Sequence, residues 1–430
     1  MSNKYHNAKN IKKELDNYVL CQEHGTRALS MTIAQHLLQA DNQEWNSKDA
    51  IPTPKTLIIG PSGCGKTESY RTLKKLAIEF RCPVAMFNIL DYSGSGSWRN
   101  TRPISDIFND VFLQAADIYY TIYGDKANAE EQKTEITKIA NRAIIMIDEI
   151  DKISLGGEDN GLLMLREYQS TLLKMVEGNA YRVQDWTHDR INNESEETID
   201  ISNNEVDTTH MMFVLLGAFT GIDRITRYRL QQEEIAKMKN NKNQPKHINY
   251  QDTHLGFIKD PQITTEPTSP KEPKYTDEQL IPSQEDIVRY GFMRELVGRI
   301  SQVIVYKPLP EDALVNILLN CKTSAYKQYQ RIFNLNGYEL KCSRSALKEI
   351  ARIAVKRGTG ARGLSTVFSE LLRDTLYELS GNTNHIRCLL RGKEIREGKP
   401  PLLHDRTKLW KKKHQLVLNR YKMFNQRKTP

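Results

Sequence analysis

The residues with the clearest chemical meaning form one short stretch that fits the pattern GxxxxGK[ST]. Glycines in such a loop let backbone N–H groups turn towards phosphate oxygens, the lysine reaches the β- and γ-phosphates, and the last hydroxyl can ligate Mg²⁺. An apolar strand precedes the stretch and a helical pattern over residues 66–80 follows it, which is the setting that this loop requires. The predicted nucleotide-binding residues are Gly60, Pro61, Ser62, Gly63, Cys64, Gly65, Lys66 and Thr67.

A second stretch supplies carboxylates. Residues 143–149 are an apolar run that ends in Asp148 and Glu149, as a strand buried on both faces would be. By itself, such a run is more typical of a core strand that enters a polar loop. Downstream of a phosphate-binding loop, it predicts that Asp148 and Thr67 hold Mg²⁺ and that Glu149 polarises the attacking water. The two stretches together indicate a nucleotide hydrolase.

Length and composition limit the alternatives. The 430 residues have room for two or three domains. The longest apolar stretch, residues 211–219, is too short to cross a bilayer, and the polar first twenty residues do not resemble a signal peptide. Six cysteines are scattered without a CxxC pair, which argues against zinc and against a disulfide framework. We therefore expect a cytoplasmic, reduced protein with no membrane partner and no zinc.

Positive charge is concentrated at the C-terminal end. The chain has a net charge of +9, but residues 381–430 contain 14 Lys and Arg against 3 Asp and Glu, so the preceding residues are slightly negative. Trp410, Tyr421 and Phe424 lie among these basic residues. A basic tail with interleaved aromatic residues can bind nucleic acid or an acidic partner, although a solvated extension is the commoner meaning of such a composition.

The order of predicted elements indicates the α/β class. Short apolar strands alternate with helical patterns up to residue 306, which predicts a doubly wound parallel sheet. Its strands are predicted at residues 57–59, 83–87, 143–147, 212–216 and 303–306. Beyond Pro308 and Pro310, a small α/β domain is predicted, with helices at residues 311–331, 344–357 and 363–379 and strands at 338–342 and 385–390.

Domain boundaries follow from these patterns and from shifts in composition. We expect a disordered lead-in over residues 1–13, a large nucleotide-binding domain over 14–306, a small domain over 307–390 and a basic extension over 391–430. Residues 231–283 are poor in apolar side chains and rich in proline, which predicts a long exposed insertion within the large domain.

Several segments, in order, resemble motifs of one family, the ClpX unfoldases of the AAA+ class. The resemblance covers roughly residues 12–380, and the related HslU proteins are a weaker match. The matching segments are residues 15–23 (LDNYVLCQE), 147–153 (IDEIDKI), 217–219 (GAF), 221–223 (GID), 290–299 (YGFMRELVGR) and 359–364 (TGARGL).

The resemblance implies a fold, ligands and further site residues. It implies an AAA+ P-loop NTPase with a doubly wound, five-stranded parallel sheet and a small, mostly helical C-terminal domain, which binds ATP and Mg²⁺ and assembles as a hexamer. Val19 and Leu20 would line the adenine pocket. Arg299 would act as an arginine finger on the neighbouring subunit's γ-phosphate. Arg362 would report nucleotide state from the small domain.

Some positions depart from the family pattern. Only Cys21 precedes the phosphate-binding loop, so the four-cysteine zinc domain with which ClpX proteins begin is not expected. The family's pore loop carries an aromatic residue that is shifted here by one position, so Trp98 would be either the pore aromatic or a buried anchor. The polar residue often found at the end of the fourth strand is replaced by Leu216. Within the predicted insertion, Leu255-Gly256-Phe257 matches the tripeptide with which ClpX proteins dock on the ClpP protease ring.

We therefore expect an ATP-dependent protein unfoldase or chaperone. It would thread unfolded or tagged polypeptides through the pore of a homo-oligomeric ring and feed a ClpP-type protease. Two alternatives remain open: a nucleic-acid-associated remodelling ATPase, which the basic tail favours, and a chaperone that works without a protease.

Overall fold

The computed structural model describes residues 4–42, 52–93, 102–103, 105–124, 129–155, 162–183, 205–240, 275–276, 279–380 and 386–405. Trp98, the tripeptide Leu255-Gly256-Phe257 and the aromatic residues of the basic tail lie outside these ranges. Within them, the chain forms two units, and each has its own hydrophobic core.

The larger unit is built on a five-stranded sheet in which all neighbouring strands are parallel. The strands are β1 (Lys55–Ile59), β2 (Val84–Asn88), β3 (Ile144–Asp148), β4 (Met212–Gly217) and β5 (Gln302–Val305). Their order across the sheet is β2-β3-β4-β1-β5. Every residue of β1 and β4 is buried, because helices cover both faces of the sheet. All five predicted strands are present, and the α/β fold class is confirmed.

The register of the strands brings the chemically interesting residues to one edge of the sheet. Ile59, the last residue of β1, lies opposite Gly217, and Asn88 at the end of β2 lies opposite Asp148 at the end of β3. The carboxyl ends of parallel strands share an edge, and this edge is where α/β sheets bind ligands. The phosphate-binding loop and the carboxylates therefore emerge on the same side.

The helices described for the larger unit surround this sheet, and some of them pack directly on it. They are Ala8–Asp16, Glu23–Asp41, Lys66–Lys74, Ala77–Phe80, Ser105–Tyr123, Ala129–Ala140, Leu162–Glu177, Ile222–Asn240, Gln284–Tyr290 and Arg294–Arg299. Two short ribbons accompany them, Tyr92–Ser93 with Arg102–Pro103 and Ala180–Arg182 with Glu205–Asp207. Short 3₁₀ turns occur at Lys4–His6, Ile89–Asp91 and Ile150–Ile153.

The smaller unit is mostly helical and has a short sheet on one side. Its helices are Glu311–Asn320, Ala325–Leu335, Arg344–Lys356, Gly360–Leu379 and Gly392–Glu397. Its strands are β6 (Glu339–Cys342), β7 (Ile386–Leu390) and β8 (Leu402–Asp405); β7 pairs parallel with β6 and antiparallel with β8. Fully buried Ile350, Phe368 and Leu372 lie in its core, because they repeat at helical spacing on two packed helices.

The prediction of a disordered lead-in over residues 1–13 was wrong from Lys4 onwards. Tyr5 is 2% exposed and Ile11 is fully buried in the larger core. The Tyr5 hydroxyl donates a hydrogen bond of 2.6 Å to Glu79, and the Asn7 side chain caps the helix that follows. The segment is polar overall, so its composition concealed a few apolar side chains at helical spacing.

Other element and domain boundaries also differ from prediction. The predicted helix over residues 311–331 is two helices, because Ser324 caps a new one by accepting the N–H of Lys327. The predicted helix over residues 66–80 is interrupted after Lys74. The basic extension predicted from residue 391 begins later, because β8 adds to the small sheet through Asp405.

The start of the predicted exposed insertion also differs. Residues 231–240 continue the helix Ile222–Asn240.

Candidate active site

The loop after β1 has the backbone conformation that phosphate binding requires. Gly63 and Gly65 have φ angles of 76° and 114°, which residues with side chains rarely adopt. A Cβ atom at Gly63 would lie 2.5 Å from the carbonyl oxygen of Thr359, and one at Gly65 would lie 3.0 Å from Cγ1 of Val19. The helix Lys66–Lys74 begins directly after Gly65, so its unpaired N–H groups and its positive dipole end belong to the same site.

Lys66 lies within this loop and not in solvent. It is 9% exposed, and its ammonium donates hydrogen bonds to the carbonyl oxygens of Gly60 and Pro61, the latter at 3.1 Å. A buried positive charge beside a helix N-terminus favours an anion there, and a phosphate chain fits both.

The carboxylate of Asp148 lies close enough to sense this positive charge. Burial raises the pKa of Asp148, and the hydrogen bond from the Glu149 backbone N–H (2.9 Å) and the charge of Lys66 only partly oppose that rise. A cation bound nearby would stabilise the ionised form of such a half-buried carboxylate. Together with the Thr67 hydroxyl, it offers the oxygen ligands that Mg²⁺ takes when phosphates complete the shell.

Glu149 has a strained backbone and a fixed side chain. Its φ of 59° is in the left-handed region, which is uncommon for a residue with a side chain and is often found at functional sites. Its Oε2 accepts a hydrogen bond of 2.7 Å from Nδ2 of Asn88, at the end of the neighbouring strand. No sequence pattern points to Asn88, because only the pairing of β2 with β3 makes it adjacent to the carboxylates.

These groups line a cleft of about 950 Å³ between the two units. The predicted site residues that line it are Val19, Leu20, Ser62, Gly63, Cys64, Gly65, Lys66, Thr67, Asp148, Glu149 and Arg362. Gly60 and Pro61 form the base of the loop without lining the cleft. Arg362 comes from the first turn of the small unit's helix Gly360–Leu379, and its charge opposes the rise in the pKa of Asp148.

One end of the cleft is apolar and is suited to the flat ring of a nucleobase. Val19 packs against Gly65, and Leu20, Leu309 and Ile317 also line this end. The backbone here is joined to the small unit, since the Cys321 thiol donates a hydrogen bond of 3.4 Å to the carbonyl oxygen of residue 18.

Arg299 is not part of its own chain's cleft. It ends the helix Arg294–Arg299, its side chain is 56% exposed, and it forms an ion pair of 2.6 Å with Glu177. A surface ion pair of this type stabilises little, so the guanidinium is available to another partner at small cost.

The end of β4 lacks the polar side chain that would be expected of a residue that senses the nucleotide. Leu216 is fully buried in the strand, and Ala218 lines the cleft instead. Asp151, which is 7% exposed, accepts the Ala218 backbone N–H at 3.1 Å and also lines the cleft. Asp151 belongs to the motif at residues 147–153, but its sequence context alone does not indicate this contact.

Two further observations concern metal-binding clusters and membrane-spanning helices. Among the described residues, no cluster of three or more His, Cys, Asp and Glu side chains is arranged to hold a metal ion. In the same part of the chain, no helix combines the length and the apolar character needed to cross a membrane.

A glycine-rich loop after the first strand of a parallel sheet, with carboxylates on a nearby strand and an arginine from a second unit, defines a P-loop nucleotide hydrolase. Comparison with known families gives the particular branch. Residues 51–303 match the AAA domain (Cdc48 subfamily), and residues 309–384 match the C-terminal, D2-small domain of ClpB protein. The chain belongs to the AAA family, as a Clp-type AAA+ ATPase.

A curated relative agrees with this assignment. The ATP-dependent Clp protease ATP-binding subunit ClpX of Treponema denticola is 27% identical over 371 residues, which cover 86% of this chain and 76% of that protein. The family models and this relative together confirm the predicted Clp-type AAA+ class.

Proposed function

We propose that this chain is an ATP-dependent protein unfoldase that works as a ring of six subunits and threads polypeptides through its centre. The observation that carries this proposal is that both units line the cleft, with Lys66 and Glu149 on one side and Arg362 on the other. A nucleotide in such a cleft favours one relative placement of the units, so its hydrolysis can move them and produce a mechanical stroke.

The side chains divide the chemistry of hydrolysis among them. Lys66 and the loop N–H groups bind phosphate oxygens, and Thr67 and Asp148 would hold Mg²⁺, which neutralises charge on the transferring phosphoryl group. Glu149 accepts a proton from the attacking water, and Asn88 orients its carboxylate through the 2.7 Å hydrogen bond.

Arg299 acts on the nucleotide of a neighbouring subunit. Its side chain is exposed and does not line the chain's own cleft, which favours a role in trans, and the resemblance of residues 290–299 to the ClpX motif points the same way. An arginine supplied across a subunit boundary neutralises charge in the transition state and makes hydrolysis depend on assembly.

The proposed partners follow from the resemblance and from the relative, which is the ATP-binding subunit of a protease. We assign polypeptide gripping to Trp98 and protease docking to Leu255-Gly256-Phe257, all of which lie outside the described residues. A single tripeptide binds weakly, but several copies on one ring raise the avidity steeply.

The basic tail supports a second candidate function, remodelling of a nucleic acid complex, because residues 381–430 carry far more positive than negative charge. The two functions differ in what stimulates hydrolysis. Unfolded protein should raise the ATPase rate of an unfoldase, whereas DNA or RNA should raise that of a nucleic-acid remodeller, with a steep dependence on salt. A chaperone without a protease partner would respond to unfolded protein but not bind a ClpP ring.

Replacement of the proposed base tests the hydrolysis itself. Glu149→Gln should retain ATP binding and lose turnover by at least about a hundredfold, because a carboxamide cannot accept the proton of water. The exposed variant Glu135→Gln, which removes a carboxylate paired with Lys138, is the control and should hydrolyse ATP normally. Turnover by Glu149→Gln at the rate of the unaltered chain would show that another group is the base.

A further inference from the structure

Gln22 is buried beside the phosphate-binding loop, where three segments of the chain meet. It is 4% exposed and directly precedes the helix Glu23–Asp41. Its Nε2 donates hydrogen bonds to the carbonyl oxygens of Cys64 (3.2 Å) and Lys307 (2.8 Å), and its Oε1 accepts the Lys307 backbone N–H at 2.9 Å. Both the donor and the acceptor group of the carboxamide are therefore engaged with backbone.

Lys307 belongs to the connector between the two units. It follows Tyr306, whose backbone N–H continues the pairing of β5 with β1 by donating to Ile59 at 2.7 Å, and it leads to the helix Glu311–Asn320 of the small unit. Gln22 pairs with both backbone groups of Lys307, as a neighbouring strand would. Any displacement of the connector at Lys307 is thus passed to the carboxamide.

The contact with Cys64 acts on a peptide unit of the loop. The C=O and N–H of a trans peptide point in opposite directions, so Gln22, by binding the Cys64 carbonyl, directs the Gly65 N–H away from itself. Gly65 lines the cleft and has a φ of 114°, and without a side chain its backbone has little conformational restraint of its own. The hydrogen bond from Gln22 supplies that restraint.

A second contact of the same kind holds the preceding carbonyl. The oxygen of Gly63 accepts the backbone N–H of Ala361 at 3.1 Å, from the first turn of the small unit's helix Gly360–Leu379. Two successive carbonyls of the loop are therefore bound by groups whose positions depend on the small unit or on the connector to it.

We propose that Gln22 is a positioning residue that couples the phosphate-binding loop to the connector: it orients the Gly65 N–H for phosphate when Lys307 is in the observed place. This inference rests on the proposed function, since it concerns how the same site binds nucleotide. A change in the position of the connector at Lys307 would therefore change the geometry of the loop and its affinity for phosphate.

The variant Gln22→Met tests this assignment, because methionine has a similar length but no hydrogen-bonding carboxamide. We expect the Kd for a fluorescent ADP analogue and the KM for ATP to rise about tenfold. The kcat at saturating ATP should change by less than about threefold, because the Gly65 N–H binds phosphate in the ground and transition states alike. If Gln22→Met does not fold, Gln22→Glu serves as the second variant. It places a carboxylate against two carbonyl oxygens and should also raise the Kd for the ADP analogue.

Gln169→Met is the matched control. Gln169 is fully buried and its carboxamide also bonds only to backbone, at Ile153, Gly291 and Met293, without lining the cleft. Both variants should lower the melting temperature, but only the Gln22 variant should lose ADP affinity. ADP affinity equal to that of the unaltered chain in the Gln22 variants, with a lower melting temperature alone, overturns the assignment. Absence of nucleotide binding by the unaltered chain overturns the proposed function itself.

Discussion

The candidate base illustrates how one residue depends on a neighbour that is distant in the chain. Glu149 has a left-handed backbone, and Asn88 binds its carboxylate with Nδ2 while its own Oδ1 accepts the backbone N–H of Leu90 at 3.0 Å. The amide of Asn88 thus serves two purposes, one towards the base and one towards the local turn. A substitution can separate them.

Asn88→Asp should lower kcat about tenfold while the Kd for ADP changes less than twofold. Aspartate keeps the acceptor for the Leu90 N–H but removes the donor that orients Glu149, and that orientation matters only when water is activated. Steady-state ATPase rates and ADP titrations measure the two quantities. Asn88→Ala, which also loses the turn, should show the same loss of kcat with lower stability. An unchanged or higher kcat in both variants would mean that Asn88 does not assist the base.

The buried imidazole of His36 should make the protein less stable in mild acid. Burial, helped by the positive charge of Arg142, lowers its pKa from 6.5 to about 4, and its Nε2 donates to the Arg142 carbonyl oxygen at 2.8 Å. The unfolded chain therefore binds the proton more readily, so the free energy of unfolding falls as the pH drops below about 6.5. Between pH 7.5 and pH 5 this single group should cost about 2 kcal/mol.

The comparison that isolates this effect uses His36→Gln, which keeps a donor for the carbonyl and does not titrate. Urea unfolding at the two pH values should show the unaltered chain losing about 2 kcal/mol more than the variant. Equal losses in both proteins would mean that His36 is not the responsible group.

At the scale of elements, the turn between the first two helices forms part of the apolar end of the cleft. Val19 and Leu20 lie in this turn, between the helices Ala8–Asp16 and Glu23–Asp41. The turn ends at Cys21, which is exposed and has a φ of 63°. Glycine adopts this conformation without strain, whereas a residue with a Cβ atom does not.

Cys21→Gly should therefore stabilise the chain by about 0.5–1 kcal/mol, since relief of left-handed strain exceeds the added flexibility of the unfolded chain. Cys21→Ala retains a Cβ atom and should give no such gain. Thermal unfolding of the three proteins distinguishes them. A lower melting temperature for Cys21→Gly than for Cys21→Ala would mean that the added flexibility of the unfolded chain outweighs the relief of strain at this turn.

At the scale of the whole molecule, the proposed role of Arg299 in a neighbouring subunit would make hydrolysis a property of the assembly. Glu149 lines the chain's own cleft, whereas Arg299 lies on the exposed surface and is paired with Glu177. If Arg299 serves the adjacent subunit, two inactive variants can complement each other. A site is then complete where a subunit with Glu149 adjoins one with Arg299.

Glu149→Gln and Arg299→Ala should each abolish ATP turnover. Rings mixed from equal amounts of both variants should recover about a quarter of the normal rate, because each complete site needs one intact residue from each of two neighbouring subunits. ATPase assays before and after subunit exchange measure this recovery. Arg299→Ala should also bind ADP normally. Mixed rings that stay inactive would indicate that Arg299 acts within its own chain or not at all.

The sequence by itself determined the parts of the site that are continuous along the chain. The loop from Gly60 to Thr67 and the apolar run that ends in Asp148 and Glu149 are recognisable because each depends on neighbours in the sequence: glycines for the left-handed turns and an uninterrupted apolar run for a strand covered on both faces. The five strands and their parallel arrangement follow from the same local patterns.

Only the tertiary structure decided which distant residues meet. Asn88 reaches Glu149 through the pairing of two strands, Gln22 reaches Lys307 across most of the chain, and Arg362 reaches the cleft from a second unit. No local pattern encodes these contacts, because a buried polar side chain is satisfied by whatever packing brings near it. The helical N-terminal segment eluded the sequence analysis for the same reason: its apolar residues are few, and their burial depends on a core formed mainly by other segments.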